Sequence, residues 1–294
     1  MIYDSTQAWQ QARKKRLLLF GMSGLGKTRL ASLLRAGGDW FHYSIDYRIG
    51  TAYLGDHITD TLKRAAMQVP FLATLLRSDS IYIGSNIAFD NLAPLSAFLG
   101  KPGAPARGGL PLAEYVRRQA LHRRAEVNAL LDTPDFIARA RELYGYPHFI
   151  CDTGGSICEV VNPHDPKDKV LGILAAHTLM VWIEGTGAHT KDLVERFDRA
   201  PKPMYYHPDF LAAQWRAYLE QKGVSAEQVD PDGFVRFAYA NALAHRVPRY
   251  RAIADHWGIT ISADQAVRVR DGQDVLALVA DALGNTLGTG GKNA

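Results

Sequence analysis

The 294-residue sequence contains only two cysteines, Cys151 and Cys158. That excludes a small secreted domain held by disulfides and suits a reducing compartment. The two flank a turn, so a redox pair and two buried structural thiols are both open readings, the second being the commoner case. No apolar run reaches the roughly 18 residues that a membrane span needs. The first sixteen residues are polar and charged, unlike the apolar core of a signal peptide. A large excess of one charge is missing too: 34 Lys and Arg against 30 Asp and Glu leave a net charge of +4. This is compatible with anionic small molecules and too small to imply nucleic acid by itself. There is no internal repeat. These absences lead to the expectation of a soluble, cytoplasmic protein with no membrane partner.

What is present is ordinary globular composition, 47% apolar and 22% charged, which argues against disorder. The length allows one large domain or two modest ones. One stretch organises the rest. Leu17, Leu18, Leu19 and Phe20 form a short apolar run after Arg16 and before glycine, the pattern of a buried strand. Gly21-Met22-Ser23-Gly24-Leu25-Gly26-Lys27-Thr28 then fits G-x-x-x-x-G-K-[ST] without a mismatch. Leu30, Leu33 and Leu34 follow at the spacing of one helix face. Strand, glycine-rich turn and helix are the context this motif requires.

The chemistry explains the residue types. Glycines at 21, 24 and 26 let successive backbone N–H groups point inward at phosphate oxygens. The helix start adds unpaired donors and a partial positive charge. Lys27 can reach the β- and γ-phosphates, and the Thr28 hydroxyl can bind Mg²⁺. Residues 21–29, ending at Arg29, are therefore expected to hold a nucleoside triphosphate.

The chain then reads in order. Residues 1–15 read as an amphipathic lead-in helix. A second strand spans 40–45 and ends at Asp46-Tyr47-Arg48. Ligands sit beyond the carboxyl ends of strands in open α/β sheets, so Asp46 and Arg48 are site candidates, with a strand-end charge pair as the plain alternative. From 51 to 145 the βαβ rhythm is lost. A helix broken at Pro70, a strand or loop over 80–87, a loop over 100–109, a helix over 112–131 and another capped by Thr133 are expected. Arg117, Arg118, Arg123 and Arg124 lie on the long helix and suit either a solvated face or an anionic ligand. A strand over 148–152 ends in Asp152, a position that supports Mg²⁺ directly or through water, and Gly154-Gly155 follows. Residues 170–174 read as a strand or a helix start. A buried strand covers 178–183, and a helix covers 191–197. The last third reads as helices over 209–221, 234–243, 249–257 and 274–283, with a late strand at 260–261 and 266–269 and a frayed end from Gly284.

Three later blocks fall in order behind the phosphate loop. They are Asp152-Thr153-Gly154-Gly155, the strand through Trp182 followed by Arg196 and Arg199, and His245-Arg246-Val247-Pro248-Arg249-Tyr250. Together they resemble a small-molecule kinase of the nucleoside-monophosphate-kinase-like P-loop class, with shikimate kinase the nearest pattern. The resemblance covers roughly 1–48 and 146–284. It implies a three-layer α/β P-loop NTPase fold with a central parallel sheet and a mostly helical inserted cap. The core would be 1–50 and 146–294, with a lid around 187–208 and an acceptor-binding insert over 51–145. It also implies lid arginines at Arg196 and Arg199, an acceptor turn at Gly154 and Gly155, and acceptor contact by Arg246. The sequence departs from that family in two places. Where the family has two carboxylates one residue apart, this chain has Asp46 and Arg48. The stretch between Arg48 and Pro147 is also much longer, so shikimate is not the expected acceptor.

The resulting expectation is an ATP-dependent phosphotransferase acting on a small anionic acceptor. ATP and Mg²⁺ would be bound by residues 21–29, and the metal by Thr28, Asp46 and Asp152. Lys27, Asp46, Arg196 and Arg199 would be catalytic, and Arg48, Gly154, Gly155 and Arg246 would hold the acceptor. A regulatory or motor ATPase is the alternative; a guanine-reading Asn-Lys-x-Asp is absent, and Asp152 is followed by threonine rather than a water-activating glutamate. A kinase acting on RNA is a third reading, which the long insert and its arginines allow.

Overall fold

Leu17, Leu18, Leu19 and Phe20 have no exposed surface, as a strand covered on both faces requires. In the computed structural model, which describes residues 1–290, they belong to β1 (Arg16–Phe20). β2 (Trp40–Ser44), β3 (His148–Asp152), β4 (Leu179–Glu184) and β5 (Gly258–Ser262) complete one sheet. Every pairing is parallel, and the order is β2-β3-β1-β4-β5. β1 is central, with Leu17 opposite Ile150 on one side and Leu179 on the other. Two groups of helices cover the sheet. Thr6–Gln11, Lys27–Ala36 and Gly272–Gly290 pack together in one, and Thr133–Glu142 and Lys169–His177 in the other. Helices Lys27–Ala36 and Thr133–Glu142 both pack on β2 and β3, which places the groups on opposite faces. The expected α/β fold, with a parallel sheet, is present.

The chain forms two compact units. The sheet unit holds 1–45, 130–200 and the chain from Tyr239 onward; the other holds 46–129 and 201–238. The expected division places 51–145 alone as an insert. Residues 130–145 belong instead with the sheet: Thr133–Glu142 packs on β2 and β3, and Phe136 stacks on Tyr43 at 4.4 Å. Residues 201–238 join the second unit.

That second unit is largely helical. Its chief elements are Gly55–Ala66, Pro70–Arg77, Ala93–Leu99, Leu112–Leu131 and Pro208–Lys222. The long helix ties down the segment around Met204. Tyr115 Oη and Gln119 Nε2 donate to the Met204 carbonyl at 2.7 and 3.1 Å, and Gln119 Oε1 accepts the Tyr206 N–H at 2.9 Å. On the same helix, buried His122 stacks on Tyr205, with Glu126 Oε2 3.7 Å from its Nδ1.

Several local expectations give way. The separate helices over 234–243 and 249–257 are one, Pro231–Trp257, with Pro248 inside it. A proline removes one helical donor and crowds one carbonyl. Here Ala242, Leu243, Tyr250 and Ile253 are buried on both sides of it and hold the helix together. The second half of the late strand is a helix, Ala263–Arg268, because the Ser262 hydroxyl accepts the Gln265 N–H and caps it. Two open readings resolve: residues 170–174 take the helical alternative, and 80–87 the loop, with no regular element. Thr133 opens its helix, and Asp132 is the capping residue. β2 stops at Ser44, so Ile45 begins the next helix. The closing helix runs to Gly290, which overturns fraying from Gly284; the rest of that stretch lies outside the described residues.

Both cysteines are buried and free. Burial pushes Cys158 up to about 12 and Cys151 well above its ordinary value. Native protein is therefore expected to resist a thiol-specific chromogenic reagent at pH 8 and to release two thiols in denaturant; rapid native labelling would contradict the burial. Burial likewise lowers His122 from 6.5 to about 4. The folded state then binds fewer protons than the unfolded one between those values. This contribution to stability is complete above pH 6.5 and is lost as the pH falls towards 4. The urea midpoint of the wild type should fall further over that range than that of His122→Phe.

Candidate nucleotide and phosphate site

Residues 21–26 connect β1 to the helix Lys27–Ala36 at the carboxyl edge of the sheet. Gly21, Gly24 and Gly26 have φ of +132°, +90° and +100°, a region that side chains disfavour. Space matters as well. A Cβ at Gly21 would lie 2.8 Å from the Ile183 carbonyl oxygen, and one at Gly24 would lie 3.1 Å from a Leu193 methyl. Met22 and Leu25 are buried, anchoring the loop, while Ser23 and Gly24 are exposed at its crest. Lys27 is buried, and its Nζ donates to the carbonyls of Gly21 at 2.8 Å and Met22 at 3.0 Å. The ammonium is thus held within the loop, where it can neutralise phosphate oxygens. Arg29 turns away: its guanidinium donates to the carbonyls of Ala266, at 2.9 Å, and Val269, at 2.5 Å.

The end of β3 meets the start of that helix. Thr28 Oγ1 donates to Asp152 Oδ2 at 3.1 Å, and His42 Nε2 lies 3.3 Å from Asp152 Oδ1. Asp152 is only 6% exposed. A hydroxyl and a carboxylate in contact beside a phosphate loop are the hard oxygen donors that Mg²⁺ takes, with substrate phosphates and water completing its shell. No group of three or more His, Cys, Asp or Glu suited to a metal occurs among the described residues. The two oxygens fit a cation that arrives with a nucleotide, not one held by protein alone.

The turn after Asp152 is built from below. Thr153 donates its N–H and its hydroxyl to the Leu19 carbonyl at 3.1 and 3.2 Å. A Cβ at Gly155 would stand 3.2 Å from the Ser23 nitrogen, so this turn and the phosphate loop touch. Arg246 is 1% exposed. Its Nε donates to Glu159 Oε1 at 2.7 Å and a terminal nitrogen donates to the Gly155 carbonyl at 3.0 Å, which also accepts from Tyr250 Oη. His245 Nε2 lies 3.1 Å from the other oxygen of Glu159. Burial opposes the charge on Arg246, but the Glu159 carboxylate in contact with it outweighs this and raises its pKa. In this structure Arg246 shapes the Gly154-Gly155 turn from behind.

The expected lid divides at the unit boundary. Its first part is a helix, Gly187–Arg199, capped by Thr186 and anchored by buried Leu193 and by Phe197, which stacks on Tyr239 at 3.9 Å. Arg196 is exposed, and its guanidinium would lie 3.3 Å from a Cβ placed at Gly24. It is therefore at the crest of the loop. Arg199 is exposed and donates to the Glu195 carbonyl on its own helix at 3.3 Å. Asp46 and Arg48 belong to the second unit, on the helix Ile45–Arg48, where the Arg48 guanidinium lies over the Tyr53 ring at 5.3 Å.

Within the sheet unit the structure thus brings together Gly21 to Thr28, Asp152, Gly155 and Arg196. Sequence reasoning missed His42 and Glu159. Each was marked only as a polar residue inside an apolar run, Trp40-Phe41-His42-Tyr43 and Ile157-Cys158-Glu159-Val160.

No protein-family model matches the chain, and no curated protein sequence matches it. Among solved structures, a shikimate kinase from Bacteroides thetaiotaomicron is similar over 95% of this chain and 97% of its own, at 14% identity and a TM-score of 0.36. Likeness at that level carries no argument about activity. The fold rests on the sheet and the loop described above.

Removing Arg246 leaves the buried Glu159 carboxylate without its closest counter-charge, which costs about 3–5 kcal/mol. Arg246→Met and Glu159→Leu should each lower unfolding stability by roughly that amount, and the double variant by less than the sum. Additive losses in urea titrations would show that the pair is not coupled.

Proposed function

We propose that this protein is a phosphotransferase that moves the γ-phosphoryl group of Mg-ATP to a small anionic acceptor. The observation that carries the reading is the contact between Thr28 Oγ1 and Asp152 Oδ2 beside a loop whose lysine is already held inside it. Phosphoryl transfer asks for positioning and charge neutralisation more than for covalent chemistry. Thr28 and Asp152 would hold Mg²⁺, which would supply charge neutralisation at the phosphates. The loop N–H groups would orient the phosphates, and Lys27 would exchange its two carbonyls for phosphate oxygens. Asp152 would hold Thr28 and the metal's water in place. Arg196, at the crest of the loop, would meet charge developing on the transferred group, with Arg199 one turn away on the same helix. The Gly154-Gly155 turn would bring backbone close to the acceptor. Arg48 would pair with an acceptor anion, and Asp46 would take the proton from its hydroxyl.

No helix among the described residues is long and apolar enough to cross a membrane. Asp152 is followed by Thr153, not by a carboxylate that would activate water, which favours transfer over hydrolysis.

The test is ATP turnover with Mg²⁺, alone and against pooled anionic metabolites, nucleoside monophosphates and RNA. Turnover should be negligible alone and rise with one small-molecule pool. Lys27→Ala should abolish it. Arg196→Ala should lower kcat by about 10²-fold, as for loss of one transition-state donor, while changing nucleotide affinity by only a few-fold. Steady hydrolysis that no pool alters, lost in Lys27→Ala, would establish an ATPase instead. A response to RNA alone, falling steeply with salt, would place the acceptor among nucleic acids.

A further inference from the structure

The second unit contains a cavity of about 850 Å³ between the helices Leu112–Leu131 and Pro208–Lys222. That is the size of a pocket for a drug-sized molecule. Val116, Leu211 and Trp215 give it apolar walls, backed by the buried Tyr205 and Tyr206. The wall around Tyr206 is pre-formed, because Tyr115 and Gln119 bind the Met204 carbonyl and the Tyr206 N–H. Val116, Ala120, Arg123, Arg124 and Val127 recur at three- and four-residue spacing, so one face of the long helix lines the cavity.

The arginines on that helix fall into two kinds. Arg117 and Arg118 are held by Glu114, which they keep near pKa 2, well below the usual carboxylate range. Arg123 and Arg124 line the cavity, and Arg216 joins them from the facing helix. None of these three has an acidic partner among the described residues; Arg216 makes only a 3.4 Å bond to the Ala212 carbonyl on its own helix. Three exposed cations around an apolar, aromatic cavity match one ligand chemistry. We propose that this cavity binds an amphipathic organic anion, a flat apolar body bearing a carboxylate, sulfonate or phosphate group. The body would lie against Trp215 and Val116, and the anion would meet the guanidiniums, which bind such groups in a bidentate fashion. This goes beyond the phosphotransfer reading and does not require it, because the cavity lies wholly within the second unit.

The test uses two fluorescent probes of nearly one shape, 8-anilinonaphthalene-1-sulfonate and its uncharged counterpart N-phenyl-1-naphthylamine, without nucleotide. The sulfonate should bind the full-length protein at one site, and at least about 10-fold more tightly than the neutral probe. Arg123→Gln/Arg124→Gln/Arg216→Gln, all exposed positions, should weaken the sulfonate by more than 10-fold and the neutral probe by less than 2-fold. Ala212→Trp, which fills the cavity from an exposed helix position, should abolish both. Unfolding midpoints of the variants near that of the wild type show that they are folded. Equal affinity for the two probes, sulfonate binding untouched by the variants, or no saturable binding would overturn the proposal. So would sedimentation showing a dimer that Ala212→Trp dissociates, since the cavity would then be covered by a second copy.

Discussion

Everything at the candidate site depends on β1 being the middle strand of a parallel sheet. A parallel strand delivers its carboxyl end to the same edge as its neighbours, so the loop after β1, the acid ending β3 and the turn after β4 must share one rim. The fit at that rim is close. The Ile183 carbonyl stands where a Gly21 side chain would be, and the Leu19 carbonyl accepts both donors of Thr153. The loop is therefore shaped from both sides before any phosphate reaches it.

A second constraint is a buried charge. Glu159 and Arg246 are each almost wholly removed from water, and each ion would be costly without the other. An apolar pair could pack as well but could not hold the Gly155 carbonyl from behind. The guanidinium does both, through its bonds to Glu159 and to that carbonyl, and the Tyr250 hydroxyl adds a second donor. The Gly154-Gly155 turn then abuts Ser23 of the phosphate loop. A charge pair deep in the sheet unit thereby sets backbone position at its rim.

The second unit works by different means. Its long helix places polar groups inward, where Tyr115 and Gln119 tie down a segment some 85 residues away, and leaves an apolar face with arginines open to a cavity. Four arginines that look alike in the sequence differ here because Glu114 stands one turn before only two of them.

Much of the sheet unit was legible in the chain. An apolar run, the G-x-x-x-x-G-K-T turn and a helical period define β1, the loop and the following helix from local chemistry alone, since glycine, lysine and threonine act there through adjacent backbone. Asp152 was legible as the acid ending an apolar strand. What sequence reading could not supply depended on distant partners. Whether Pro248 breaks a helix was decided by buried residues on both sides of it; the cap at Ser262, which makes a helix of Ala263–Arg268, is by contrast a local Ser-x-x-Gln signal that the sequence reading passed over. Arg246 matched an acceptor-contact pattern, but its partner, Glu159, lies 87 positions earlier, a pairing no local pattern announces. The division into units, with 201–238 joining 46–129, follows from packing between segments far apart in the chain. The phosphate loop, with the strand before it and the helix after it, was thus determined by the sequence itself. Partnership of buried charges, the course of the long helix and the cavity were decided by the tertiary structure, because burial and long-range contact set their energies.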